Sequence, residues 1–280
     1  MSGKLYVVGT PIGNLGDMSP RALETLEKVD FIAAEDTRVA LKLLNHFDIK
    51  KPLVSYHEHN RFEKGGGIVS RVLSGEDCAV VTDAGMPAIS DPGEDLVKLC
   101  HENGIKVESV PGPCAFSTAL AISGMPTGRF TFEGFLSMNK TARRRHLEEV
   151  KNETRTMIFY EAPHKLAATL RDFYDCFGNR NTAIVRELTK IHEEVIRTTL
   201  ADAVEKYGDG SLKGEIVIII EGAEPVRTDD MTLEEAVEIA LSLEGEGASR
   251  SDAAKQAAKL SGFKKGDIYK LMGEKGEDDE

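Results

Sequence analysis

Acids, bases and chain-bending residues crowd into a few short stretches of the sequence. The run "DAGMPAISDPG" (residues 83–93) holds Asp83 and Asp91 among two glycines and two prolines, directly after an apolar segment. Gly85 would let backbone approach a ligand closely, and Met86 would offer it an adaptable apolar contact. Asp91 followed by Pro92 reads as an ordinary helix start, so the ligand-facing part is expected at 83–87. A second stretch, "RELTKIHEE" (186–194), gathers Arg186, Glu187, Lys190, His192, Glu193 and Glu194 between two strand-like runs. Such a set at one hairpin tip suits proton abstraction, with a solvated charged turn as the simpler alternative. "KTARRRH" (140–146) puts Arg143, Arg144 and Arg145 side by side, as a phosphate contact or as a solvated helix face. His57 and His59 flank Glu58 and would share one face of a strand, but no third ligand lies nearby and no metal site is expected.

Two further loops are rich in small residues. "GTPIGN" (9–14) has neither the spacing of a dinucleotide-binding glycine loop nor the ending of a phosphate loop, so it is a ligand loop or a plain turn. "VPGPCA" (110–115) opens a helix with small side chains, where free N–H groups could meet a carboxylate or hydroxyl, or where tight packing alone needs them.

Positioning these groups falls to an alternation of short aliphatic runs and amphipathic segments. "KLYVVG", "FIAAED", "PLVSYH", "CAVVTDA" and "KVESVPG" read as strands. Between them lie helical patterns: one capped by Ser19 with Pro20 first, one over 37–47, one ending near Leu73, and one over 92–103 closed by Gly104. That order predicts parallel strands joined by crossover helices, with ligands at the carboxyl ends of the strands, where the three glycine- and proline-rich loops fall. After residue 125 come "RFTFEGF", a basic helix, "TMIFYEA", a helix opened by Pro163, then "TAIVREL", "HEEVIRTTL", a helix and "EIVIIIEG". The close succession of "TAIVREL" and "HEEVIRTTL" predicts an antiparallel hairpin and hence a mixed sheet. The expectation is an α/β chain with domains at 1–125 and 126–224 and a helical extension at 225–280 that ends in an acidic tail.

Composition sets outer limits. The 280 residues are 41% apolar, and the longest aliphatic run, Ile216 to Ile220, is far too short to span a bilayer. Cys78, Cys100, Cys114 and Cys176 are scattered without metal-like spacing, as reduced thiols of a cytoplasmic protein would be. The net charge of −12 argues against a nucleic-acid partner until its distribution is considered. Seven acids and no base lie between Asp229 and Glu246, while cations collect at 140–146 and at Lys255, Lys259, Lys264, Lys265 and Lys270.

Taken in order, "VGTPIGNLGDMSPRALETL", "AAEDTR", "TDAGMPAISDPG", "VPGPCA", "FEGFL", "FYEAPHKL", "VRELTKIHEE" and "GEIVIIIEG" resemble the tetrapyrrole-methylase superfamily of S-adenosylmethionine-dependent methyltransferases. Within it they resemble the branch that methylates the ribose 2′-oxygen of a cytidine in 16S ribosomal RNA. The resemblance implies a folded cofactor between two α/β domains and a homodimer. Gly9, Thr10 and Pro11 would line the cleft from the first loop. Gly85, Met86 and Pro87 stand where tetrapyrrole members have Gly-Asp-Pro, so Met86 replaces a carboxylate. Ile89 would add a backbone contact. After Pro111 and Gly112, Cys114 and Ala115 hold positions where the family has hydroxyls. Ala162, Leu188 and Glu215 align with cofactor-lining positions of the second domain.

Methyl transfer to a ribose hydroxyl needs positioning and a group to handle the proton or the developing negative charge. Glu187, Lys190, His192 and Glu193, with Asp83, are the candidates for that group. Arg143, Arg144, Arg145, Lys264 and Lys265 would contact RNA phosphates. Two alternatives stay open: methylation of a tetrapyrrole or other small acceptor, and a non-catalytic RNA-binding assembly factor.

Overall fold

In the computed structural model, which describes residues 2–224 and 231–275, the chain forms two compact units, residues 1–223 and 224–280. The first unit carries two five-stranded sheets.

Strands β1 (Lys4–Val8), β2 (Phe31–Ala34), β3 (Leu53–Ser55), β4 (Cys78–Val81) and β5 (Lys106–Val110) lie in the order β3-β2-β4-β1-β5, and every pairing is parallel. β2 and β4 have no polar position because both faces are covered. On one face Leu5, Phe31 and Val80 pack with Ile68 and Val72 of α3 (Arg61–Leu73) and Leu96 of α4 (Glu94–Glu102). On the other, Val8, Ile32 and Val81 pack with Leu26 of α1 (Pro20–Lys28) and Leu44 of α2 (Thr37–His46). Helix α1 starts as its sequence dictates: Pro20 is its first residue and Ser19 Oγ accepts from the Ala22 N–H at 3.1 Å. β1 and β4 are neighbours whose onward connections run in opposite directions, to β2 and to β5. Their carboxyl ends therefore frame a crevice, the usual ligand position in a parallel sheet.

The second sheet, β6 (Phe130–Phe135), β7 (Thr156–Glu161), β8 (Asn181–Arg186), β9 (Glu194–Thr199) and β10 (Ile216–Ile220), has the order β6-β7-β10-β8-β9. Only β6 and β7 are parallel; β8 and β9 form the expected antiparallel hairpin. One face is covered by α7 (Leu166–Phe177) and α8 (Leu200–Tyr207), with α6 (Lys140–Val150) contributing Leu147. The other face takes α5 (Ala115–Ser123), a helix that the sequence boundary at 125 assigns to the first domain. Ile12 of the first loop joins this same cluster, so the loop after β1 packs against the second sheet.

Among the described residues the second unit forms three helices, α9 (Leu233–Gly245), α10 (Arg250–Ser261) and α11 (Lys265–Lys275). Ala236, Ala240, Ala253, Ala254 and Ala257 are fully buried, and their small side chains let the helices approach closely around Val237, Ile268 and Met272. Thr232 and Glu235 form a reciprocal capping box at the start of α9. The acidic tail beyond residue 275 lies outside the described residues.

One element departs from its expected start. Helix α4 begins at Glu94, not Pro92, and its N-cap is Gly93 at φ 140°, with no side-chain cap. Asp91 is therefore not a helix cap.

Candidate active site

Three loops meet at the carboxyl ends of β1, β4 and β5. Thr10 and Gly85 exchange backbone hydrogen bonds, the Thr10 N–H to the Gly85 carbonyl at 2.9 Å and the reverse at 3.1 Å. Thr10 Oγ1 donates to the Thr82 carbonyl at 3.1 Å. Gly9 lies against Gly112 so tightly that a Cβ on Gly9 would come within 2.7 Å of the Gly112 Cα and 2.6 Å of Met86 Sδ. That sulfur accepts from the Gly112 N–H at 3.3 Å. Loop 83–93 is backbone-strained: Ala88 (φ 68°) and Ser90 (φ 61°) occupy the left-handed region, and the Ala88 N–H closes the loop onto the Pro92 carbonyl at 3.3 Å. Strain held by surrounding structure at a loop tip is characteristic of functional sites.

These loops and the edge of the second sheet enclose a cleft of about 440 Å³. Its apolar walls include Ile12, Met86, Ile89, Phe135, Tyr160 and Val217. The Tyr160 hydroxyl accepts from the Phe116 N–H at the start of α5 at 3.0 Å, which fixes the ring, and burial pushes the phenol well above its ordinary range. Of the expected site residues, Asp83, Gly85, Met86, Ile89, Cys114, Ala115, Ala162, Leu188 and Glu215 line this cleft. Gly9, Thr10, Pro11, Pro87, Pro111 and Gly112 do not; Gly9, Thr10 and Gly112 hold the lining loops in register from behind.

The hairpin tip between β8 and β9 is a lattice of ion pairs. Glu187 Oε1 accepts from Lys190 Nζ and from the Glu215 N–H, both at 3.0 Å. These bonds, the backbone one first, hold its carboxyl below the ordinary range. Lys190 also reaches Glu215 at 3.1 Å and stays charged, because its two carboxylate partners outweigh its burial. Glu193 accepts from the Thr189 N–H at 2.6 Å, and His192 is exposed. The hairpin touches the first loop at Gly13, where an added Cβ would meet the Lys190 side chain at 2.7 Å.

Carboxylates give the cleft its electrostatic character. Glu35, just past β2, and Asp83, just past β4, bond each other's loops: the Asp83 N–H donates to Glu35 at 3.3 Å and the Asp36 N–H donates to Asp83 at 3.2 Å. Burial raises the affinity of both for protons, and each feels a neighbouring carboxylate. Asp91, half-buried, is pushed up to about 6, first by burial and then by Glu35 and Asp83. No hydrogen bond or ion pair holds the Asp91 side chain among the described residues. Glu161 is the opposite case: buried, it is bonded by the Ala162 N–H at 2.8 Å and by Thr169 Oγ1, with Arg143 at 3.9 Å. Glu35 and Asp91 are the functional candidates that sequence reading passes over.

Arg143 turns inward, paired with Asp172 at 2.5 Å and bonded to Thr169 Oγ1 at 2.8 Å. Arg144 and Arg145 face solvent, Arg145 with Glu149 at 3.0 Å. In the second unit Lys264 and Lys265 are exposed, and Lys265 donates to Ser251 at 2.8 Å.

A parallel and a mixed sheet with a ligand-sized cleft between their loops define a family. The profile of the tetrapyrrole (corrin/porphyrin) methylases matches residues 4–204, and the chain belongs to that family. Over nearly its full length it is similar to proteins named Ribosomal RNA small subunit methyltransferase I. The one from Synechocystis is 45% identical, spanning 96% of this chain and 97% of its own. The one from Thermotoga maritima is 47% identical and spans 79% of this chain but 100% of its own, a share close to that of the first compact unit. Among solved structures, the uroporphyrin-III C-methyltransferase of Thermus thermophilus shares the fold (TM-score 0.56, 19% identity, covering 78% of this chain and 94% of that one).

Proposed function

We propose that this protein is an S-adenosylmethionine-dependent methyltransferase acting on the ribose 2′-oxygen of a cytidine in 16S ribosomal RNA. The observation that carries the reading is the cleft: loops that bear the family resemblance converge on one cavity lined by three proton-avid carboxylates. The near full-length likeness to small-subunit ribosomal RNA methyltransferases supports the choice of RNA over a tetrapyrrole. A cytoplasmic location and a homodimer belong to the same reading and rest on the resemblance.

The residues fit the cofactor. A cavity of about 440 Å³ falls in the range that small ligands occupy. Ile12 and Val217 would line its apolar part, while Glu35, Asp83 and Asp91 would complement the positive charge of a sulfonium and an ammonium group. When bound, the cofactor would supply an electrophilic methyl carbon for an in-line displacement. Asp91, free of other partners, takes the proton of the attacking hydroxyl. Glu187 and Lys190 hold the Leu188 and Glu215 walls in place instead of exchanging protons.

The test uses small subunits and naked 16S RNA from cells lacking the gene, incubated with purified protein and labelled S-adenosylmethionine. The expected product, read by nucleoside mass spectrometry, is 2′-O-methylcytidine at a single site. Methyl groups on a base, or none on RNA, would refute the reading.

A further inference from the structure

Beside the cleft lies a second and larger cavity, of about 820 Å³, between α6 and α7. Arg143 lines it, and its neighbour Glu161 forms part of the cleft wall. The two cavities therefore meet at the Arg143–Glu161 pair. They are also contiguous along the chain: Phe135 and Pro163 line the cleft, and Leu136 and His164 line the groove.

The groove is lined by side chains that can meet a phosphate. Lys140, Arg144, His164 and Lys165 line it, and none of the four side chains has an acidic or hydrogen-bonding partner among the described residues. Three acids also line the groove: Asp172 is engaged by Arg143 and Glu148 by Lys151, while Asp175 completes the set. Beside the groove stand two large apolar side chains that stay exposed, Phe135 at 58%, edge-on to Tyr160, and Met138 at 83%. Unpaired cations beside an exposed aromatic ring are what a single nucleic-acid strand uses: charge for the phosphates and a flat face for a base.

We infer that the α6/α7 groove holds the RNA strand flanking the methylated nucleotide, with Lys140, Arg144 and Lys165 on its phosphates and Phe135 and Met138 against an adjacent base. This rests on the methyltransferase reading above and specifies where its substrate runs. A small acceptor would need no such groove, and a sheet edge or helix face would serve a protein partner better than separated cations. His164 gives the contact a fourth donor.

The experiment compares wild-type protein with Lys140→Ala, Arg144→Ala, Lys165→Ala and the triple variant. RNA affinity is measured over a range of salt concentrations on a 16S fragment containing the methylated site, and S-adenosylmethionine affinity by calorimetry. The triple variant is expected to bind RNA roughly 10- to 100-fold more weakly, with a salt slope shallower by about 2, since each lost phosphate contact on a single strand removes about 0.7. Cofactor affinity and melting temperature are expected to stay at wild-type values. Phe135→Ala should weaken RNA binding without changing the salt slope, as loss of stacking would. Equal RNA affinity and slope in the triple variant would overturn the inference. So would a loss confined to assembled subunits, which would point to a ribosomal protein on this face. If the wild-type protein methylates no ribosomal RNA, the functional reading beneath has failed instead.

Discussion

Replacing Asp91 by Asn separates its proposed chemistry from its structural cost. Its carboxyl is raised from 3.8 to about 6 in the folded protein. A pKa displaced by one unit corresponds to about 1.36 kcal/mol, so the full displacement would be roughly 3 kcal/mol. The group is only half-buried, and screening by solvent reduces this to about 1–1.5 kcal/mol. The sign follows from proton counting. Between 3.8 and about 6 the folded state holds the Asp91 proton that the unfolded state has released, so stability falls as pH rises through this window and stays lowered above it. An amide has no such proton to lose, so Asp91→Asn should melt about 2–5 °C higher than wild type well above pH 6 and within about 1 °C of it near pH 3.8. Catalysis should respond in the opposite sense. Wild-type turnover should rise through about pH 6 to a plateau, while Asp91→Asn loses at least ~100-fold at the plateau together with the pH-dependent limb. Scanning calorimetry at the two pH extremes and single-turnover kinetics across the same range are the assays. A stability gain that is equal at both extremes, or a variant that keeps both turnover and the acid limb, would refute the argument.

Glu187→Ala should destabilise by ~1–3 kcal/mol at neutral pH, because the Glu215 N–H and Lys190 would lose their acceptor. Its depressed carboxyl makes that contribution disappear as pH falls below the ordinary 4.5 toward its lowered value, which melting curves at neutral and acid pH would register. His192→Ala, on an exposed tip outside the cleft, should keep turnover within about twofold, a result that stopped-flow methylation can check. Gly112→Ala should cost ~1–3 kcal/mol and weaken cofactor binding measured by calorimetry, since the new methyl would sit 2.9 Å from Gly9 backbone atoms. Arg143→Ala should cost ~2–4 kcal/mol in urea unfolding by leaving Glu161 and Asp172 uncompensated, whereas Arg144→Ala should stay within ~0.5 kcal/mol.

Short apolar runs reveal the ten strands among the described residues, because burial on both faces leaves β2, β4 and β10 uniformly apolar and easy to see. The parallel and mixed character of the sheets is also legible, from crossover helices in one half and a short hairpin connection in the other. Site residues are legible only where local spacing carries them. Glu35 reads as the end of a strand, and its role comes from the pairing of β2 with β4, which brings it to Asp83 across 48 positions of sequence. Asp91 and Pro92 have the local form of a helix start, but the Ala88–Pro92 closure and the φ of 140° at Gly93 delay the helix to Glu94 and leave Asp91 in the cleft. The hairpin charges are legible as residue types; what the fold adds is that Glu187 and Lys190 are spent on each other and on Glu215.

Met86 shows how the cleft redistributes its polar groups. Its sulfur is wedged between loops, 3.3 Å from the Gly112 N–H and within reach of Gly9, and its side chain packs against the core beneath β4. A carboxylate there would be desolvated among apolar atoms and would add a fourth negative charge beside Glu35, Asp83 and Asp91, whose carboxyls already resist ionisation. A thioether satisfies the Gly112 N–H without that penalty and fills an irregular gap that a shorter side chain would leave open. In this chain the Met86 position serves packing, and on the proposed reading the acid of the cleft is Asp91. The strained turn at Ala88 and Ser90 adjoins that residue, so the short loop that buries the Met86 thioether also places a carboxyl on the cavity wall.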